Sequence, residues 1–168
     1  WGLAGHGSIL AEMLCISSRT KSRFLLAFEM PQKYELVFLD SSAFAAKLKK
    51  FDRGVVLLTR SALTNLLQSA GLELAGTRWI KSLGGGLWEF RLGPTTTQVL
   101  SGIGINSSAL GILHQRLLLR VFFTLMPSDQ ILIISIYDKG KDPSKKRQQR
   151  EIAEARAKLR EFQHSSNR

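Results

Sequence analysis

The residues that most constrain how this chain folds are two runs of strand formers, Leu117–Leu125 and Gln130–Tyr137, joined by Met126-Pro127-Ser128-Asp129. A proline, a serine and an aspartate between two such runs make a compact polar turn, so the pair predicts an antiparallel hairpin. Upstream, Leu87-Trp88-Glu89-Phe90-Arg91-Leu92 alternates with period two, which puts Trp88 and Phe90 on one face and Glu89 and Arg91 on the other. Thr77–Leu83 is a shorter strand candidate, linked to that one by Gly84-Gly85-Gly86. No Lys-Ser/Thr pair and no helix follow these glycines, so they predict a hairpin turn rather than a phosphate cradle. Tyr34–Leu39, just after Met30-Pro31-Gln32-Lys33, is a further strand.

Helical spacing occupies the intervals. Asp40-Ser41-Ser42 offers N-caps for a helix through Phe51, with Phe44, Leu48 and Phe51 on its apolar stripe. After the turn Asp52-Arg53-Gly54, a second helix is expected from Val55 to Ala70, with Leu58, Ala62, Leu66 and Ala70 inward and Gly71 as C-cap. A last helix is predicted to start at Asp142-Pro143 and run to Phe162, burying Ile152, Ala155, Leu159 and Phe162. The fold class is therefore α+β: a small antiparallel or mixed sheet of roughly four to five strands packed against an N-terminal helical hairpin, with a basic C-terminal helix.

Charge narrows the function classes. The 168 residues carry 24 Lys+Arg against 13 Asp+Glu, a net charge of +11, which favours a polyanionic partner, nucleic acid first. Ten of those basic residues fall in 139–168. Lys145, Lys146, Arg147 and Arg150 crowd the first turns of the last helix, where cations oppose the helix dipole at a cost of roughly 0.3–1 kcal/mol each. Two readings stand for them, a solvated charge run and an anion site suited to phosphates. Cys15 is the only cysteine, which excludes an intrachain disulfide framework and a thiolate zinc site. His6, His114 and His164 have no ligand spacing, and no DxD or ExxE cluster offers itself to magnesium, so no metal and no cofactor are expected. No apolar run approaches the roughly 18 residues of a membrane span, so no membrane partner is expected.

Two segments stand apart. Residues 1–29 mix Gly, Ser and short apolar pieces without a sustained period, and are read as an upstream or processed extension, with Met30 opening the working unit; the alternative is a genuine N-terminal arm ordered only by packing. Residues 93–116 are rich in Gly, Ser and Thr, carry no charge before Arg116, and are too long for an ordinary hairpin loop. They read as a variable insertion or as a mobile flap or partner surface. The domain is thus taken as 30–163, with 164–168 as a tail.

Four stretches in order resemble the RelE/HigB-like superfamily of toxins from toxin–antitoxin modules, most closely its phage-derived, HigB-type branch. They are Gly86-Leu87-Trp88-Glu89-Phe90-Arg91, Leu119-Arg120-Val121-Phe122-Phe123, Tyr137-Asp138-Lys139-Gly140-Lys141-Asp142-Pro143, and Arg147-Gln148-Gln149-Arg150-Glu151-Ile152-Ala153-Glu154-Ala155. The resemblance spans about residues 33–163, and departs from the family's pattern in the N-terminal extension and the 93–116 insertion. It implies a RelE-like fold and a cytoplasmic, ribosome-dependent mRNA endonuclease that inhibits translation. Its implied partners are mRNA, the ribosome and a cognate antitoxin, expected to be a small helix-turn-helix protein.

The chemistry so implied is metal-free: the substrate's 2′-OH attacks the adjacent phosphorus, which needs a proton acceptor, a donor for the leaving oxygen and cations over the phosphate oxygens. Arg120, a charge inside an apolar strand, is the first candidate to hold the scissile phosphate. Arg91 is paired with phosphate and Glu89 with a base or orienting role, the alternative being an ion pair between them. Lys139 and Lys141 match the family's basic terminal motif, and either stabilises charge or acts as general acid. Tyr137 stacks a base, relays a proton or simply completes the core. Lys81, Lys145, Lys146, Arg147 and Arg150 are expected to position RNA through its backbone. Two other readings remain open: a non-enzymatic gyrase inhibitor of the ParE branch, and an RNA-binding module without catalysis.

Overall fold

The computed structural model describes residues 31–93, 96, 98 and 118–166. The 1–29 extension and nearly all of the 93–116 insertion lie outside the described residues.

Five strands form one mixed sheet in the order β1-β5-β4-β3-β2. They are β1 (Glu35–Phe38), β2 (Ile80–Gly84), β3 (Leu87–Leu92), β4 (Leu119–Met126) and β5 (Gln130–Asp138). β2 to β5 pair antiparallel in sequence order, and β1 runs parallel to β5, Glu35 opposite Gln130 through Phe38 opposite Ile133. The β2–β3 turn is Gly85-Gly86 with Gly84 before it, all three at positive φ (61°, 76° and 81°). A two-residue loop with both centres left-handed matches the twist of the flanking strands, and glycine reaches that backbone without a Cβ clash. β2 starts at Ile80 rather than Thr77, because Thr77 is tied into the preceding turn: its Oγ1 donates to the Leu74 carbonyl (2.6 Å) and accepts from the Trp79 N–H (3.1 Å).

Helix α1 spans Ser41–Leu48, and the Asp40 carboxylate caps it by accepting the Ala43 N–H at 2.8 Å. Helix α2 (Arg53–Ala62) continues through a π-helical turn (Leu63–Leu67) and a last turn (Gln68–Ala70), then a 3₁₀ turn (Gly71–Leu74). Of the expected inward stripe, Leu58 and Ala62 are buried and Leu66 is half-buried against the core, while Leu63 and Leu67 take the most buried places beyond them and Ala70 is only half-buried. The wide π turn inserts a residue into the helical count and rotates everything after it. Helix α3 runs Lys145–Ser166, past the expected end at Phe162. Its cap is Ser144, whose Oγ accepts the Arg147 N–H (3.2 Å), rather than Asp142, whose carboxylate instead accepts the Ser144 N–H (3.0 Å). Ser144 directly precedes the first turn, so its short side chain reaches the orphan N–H that Asp142 is too far back to meet.

The sheet is covered on both faces. Leu36, Phe90, Val121, Phe123, Ile131 and Ile133 bury one face against Phe44, Leu48, Leu58, Ala62, Leu63 and Leu67 of α1 and the α2 segment. Leu87, Phe122, Ile134 and Tyr137 pack the other against Ala155 and Leu159 of α3. Full burial of one such leucine contributes roughly 1.5–3 kcal/mol. Phe122 and Phe123 serve the two layers by ordinary alternation, and a bulge interrupts that alternation on β5: Phe122 pairs with Ser135 and Phe123 with Ile133, and the skipped Ile134 packs in the α3 layer. Among the described residues no helix is long and apolar enough to cross a membrane.

Candidate functional site

The period-two pattern of β3 puts Glu89 and Arg91 on the α3 face, and the pairing of three strands does the rest. Arg91 lies opposite Arg120, and Arg120 opposite Tyr137, so β3, β4 and β5 bring all three into one row across the sheet. Glu89 sits in the next row, between Phe122 of β4 and Lys81 of β2. Four of the five residues expected to act catalytically (Glu89, Arg91, Arg120 and Tyr137) thus converge from three strands.

Glu89 is the centre of the cluster. Its side chain is 0% exposed, yet it lies between two guanidinium groups: Arg91 Nε donates to Oε2 at 2.8 Å, and Arg120 Nε stands 3.8 Å from Oε1. At that distance Arg120 Nε makes no hydrogen bond, so helix α3 supplies the second donor: Gln148, whose Nε2 reaches Glu89 Oε1 at 3.5 Å. A carboxylate buried without such donors would be prohibitively costly, so the pairing explains its place in the sheet. With Oε2 taken by Arg91 and Oε1 by Gln148, Glu89 makes the ion pair with Arg91 that was the alternative to a base or orienting role.

The arginines differ in access. The Arg120 side chain is 12% exposed, and its Nη1 donates to the carbonyls of Leu119 (2.8 Å) and Leu92 (3.3 Å), which fixes the guanidinium plane. Burial pulls its pKa below the ordinary arginine value; Glu89 opposes that shift and Arg91 adds to it. Arg91 is 32% exposed and spends only Nε on Glu89, so its two Nη groups make no hydrogen bond among the described residues. Arg91 is therefore the open arm of the pair, able to meet a phosphate with a two-pronged face.

Tyr137 is enclosed. Its ring stacks on Phe122 with centroids 5.5 Å apart and planes 17° off parallel, and its hydroxyl is buried without a hydrogen-bond partner among the described residues. Burial pushes the phenol up to about 12, the Glu89 charge adding to the shift and Arg120 opposing it. As placed, the ring completes the core under α3 rather than presenting a face to a base.

Lys139 joins the cluster through α3, donating from Nζ to Gln148 Oε1 at 2.9 Å. Lys141, the other candidate of its motif, instead stands over the Phe51 ring at 5.5 Å. Lys81 is exposed on the β2 edge, opposite Glu89. Lys145, Lys146 and Arg150 are exposed on the first turns of α3, whereas Arg147 turns inward to an ion pair with the buried Glu151. The expected set thus divides into a central group (Glu89, Arg91, Arg120, Lys139), an enclosed Tyr137 and a basic rim.

Gln148 and Glu151 were not among the expected site residues. A signal for them exists: extending the Ala155/Leu159 stripe back by helical spacing lands on positions 151 and 148, so both face the sheet. Around Glu89, three cations (Arg91, Arg120, Lys139) face one carboxylate, leaving an excess of two positive charges beside a partly buried floor. Such a site attracts an anion and repels a cation. Among the described residues no group of three or more His, Cys, Asp or Glu is placed to hold a metal ion. Comparison with models of known protein families finds none that matches this chain, and comparison with curated proteins finds no match.

Proposed function

We propose that this protein is the toxin of a toxin–antitoxin module, a metal-independent endoribonuclease that cuts mRNA on the translating ribosome in the cytoplasm. The reading rests on the RelE/HigB-like resemblance, and the observation that carries it further is the Arg91–Glu89–Arg120 cluster with Lys139 beside it. The element order is in keeping with it: a strand, helical segments over 41–74, antiparallel strands, then a basic terminal helix.

In this reading Glu89 sets the two guanidiniums side by side. Arg91 and Arg120 bind the non-bridging oxygens of the scissile phosphate and stabilise the charge that develops when the 2′-oxygen, its proton passing to solvent water, attacks phosphorus. The P–O5′ bond breaks, giving a 2′,3′-cyclic phosphate and a 5′-hydroxyl end. Lys139 supplies charge or the proton for the leaving oxygen. Lys81, Lys145, Lys146 and Arg150 meet the RNA backbone on either side, and a small helix-turn-helix antitoxin covers the site when the toxin is held inactive.

Added to a translation reaction, the full chain should produce new codon-phased mRNA ends by primer extension, and Arg120→Ala should abolish them while circular dichroism shows an intact fold. Intact mRNA together with inhibited gyrase supercoiling would replace this reading with the ParE-type one. RNA binding with neither effect would leave a binding module.

A further inference from the structure

We infer that Gln148 is the positioning residue of this site: it holds the Lys139 ammonium beside the arginine pair and keeps it from being neutralised by Glu89. The inference rests on the anion-binding reading of the cluster, but not on cleavage.

The primary amide of Gln148 is engaged at both ends. Oε1 accepts from Lys139 Nζ at 2.9 Å, and Nε2 donates toward Glu89 Oε1 at 3.5 Å. Glu89 and Lys139 carry opposite charge, and a lysine on its flexible stem would ordinarily close onto a buried carboxylate and form a direct ion pair. The interposed amide satisfies both groups at once, giving the ammonium a neutral acceptor and the carboxylate a neutral donor. The Lys139 charge therefore stays without an ion-pair partner among the described residues and available to a ligand, two residues past the Tyr137 that completes the Arg91–Arg120 row.

The amide is itself held in place. It lies on the first turns of α3, where Ser144 caps the helix through the Arg147 N–H and the Gln148 N–H donates to the Ser144 carbonyl at 3.2 Å. Below it, Arg147 pairs with buried Glu151, and Ala155 and Leu159 seat the helix on Phe122 and Tyr137. The helix thus sets the position of a cation that belongs to the strand end. A leucine at 148 would keep the helix and its packing while removing both polar contacts. Asparagine, one methylene shorter, could not span both partners.

The test is a double-mutant cycle on the full chain. The probe is a fluorescein-labelled RNA trinucleotide made non-cleavable by 2′-O-methylation, and the readout is its dissociation constant. Gln148→Leu and Lys139→Ala should each weaken binding about 10-fold, and the double variant should be no weaker than Lys139→Ala alone. Gln148→Asn should follow Gln148→Leu, and circular dichroism of both should show the parent fold, with cooperative melts at a somewhat lower temperature because Glu89 loses a donor. If Gln148→Leu costs the same factor with or without Lys139, Gln148 does not act through that lysine and the inference is overturned. Failure of the parent chain to bind the probe would remove the anion site and the inference with it. A cycle that holds without mRNA cutting in a translation reaction would uphold the inference and end the nuclease reading. Cutting accompanied by an additive cycle would do the reverse.

Discussion

Replacing Glu89 by glutamine keeps the size of a fully buried side chain and removes its charge, so it isolates what that charge does. At an effective dielectric constant of about 20, unit charges at the Arg120–Glu89 separation of 3.8 Å attract by about 4 kcal/mol, and those at the Arg91–Glu89 separation of 2.8 Å by about 6 kcal/mol. Desolvation offsets much of this gross attraction, so the net worth of the cluster is far smaller than the sum. Breaking it from the carboxylate side is another matter, because two cations then face each other with no anion between them, and Arg120, 12% exposed, is poorly hydrated. Removal of one partner from such a buried set costs roughly 3–5 kcal/mol, a large share of a domain stability of about 5–15 kcal/mol. Arg120→Ala should cost less, since Glu89 keeps Arg91 and Gln148, and Arg91→Ala least, since a third of that side chain is already in water. The double variant Glu89→Leu/Arg120→Met should recover most of the loss, because it removes the buried charges in a pair. Urea unfolding at constant m-value measures all four. A Glu89→Gln chain within 1 kcal/mol of the parent, or an Arg91→Ala chain less stable than Glu89→Gln, would refute a structure organised around this carboxylate.

Three further outcomes follow from particular contacts. The folded-state pKa of Tyr137, about 12, lies above the ordinary tyrosine value near 10, so the fold favours the neutral phenol. Its contribution is whole below about pH 10 and is lost as pH rises toward 12, by roughly 2 kcal/mol; urea titrations of Tyr137→Phe should therefore show a flatter pH dependence over that window, and parallel curves would contradict the burial of the hydroxyl. Gly71 has φ +48°, and an added Cβ would lie 2.3 Å from the Tyr34 ring, so Gly71→Ala should lower stability by roughly 1–3 kcal/mol in the same assay, with no change meaning that the turn can be rebuilt. Lys146→Ala, on the exposed rim, should weaken binding of single-stranded RNA equally across sequences and reduce the log–log salt slope by about 0.7; a sequence-dependent loss would place Lys146 on the bases instead.

What was legible in the sequence was what local pattern controls. The period-two run Leu87–Leu92 placed Trp88 and Phe90 on one face and Glu89 and Arg91 on the other, and Arg120 stood out as a charge in an apolar strand; both stand so in the sheet. Asp40 was readable as an N-cap because it precedes a serine pair and an apolar stripe. The parallel pairing of β1 with β5 was not readable, because it joins Glu35 to Gln130 across the whole chain and nothing local to either strand encodes it. The π turn at Leu63–Leu67 was hidden because Leu63, Leu66 and Leu67 are all apolar, so hydropathy alone does not say which face inward. The site was legible in its charges and not in its connections. Gln148 is a neutral residue in a basic run, and only the docking of α3 on the sheet shows that it links Lys139 to Glu89.

The central claim is that this cluster directs a 2′-hydroxyl onto the neighbouring phosphorus of mRNA, and the ends of the cut strand record that chemistry. The 5′ fragments from a translation reaction containing the full chain should carry 2′,3′-cyclic phosphate, should resist polyadenylation until the cyclic phosphate is opened and removed, and should disappear with Arg120→Ala. Fragments with free 3′-hydroxyl and 5′-phosphate ends, or mRNA left whole, would contradict it.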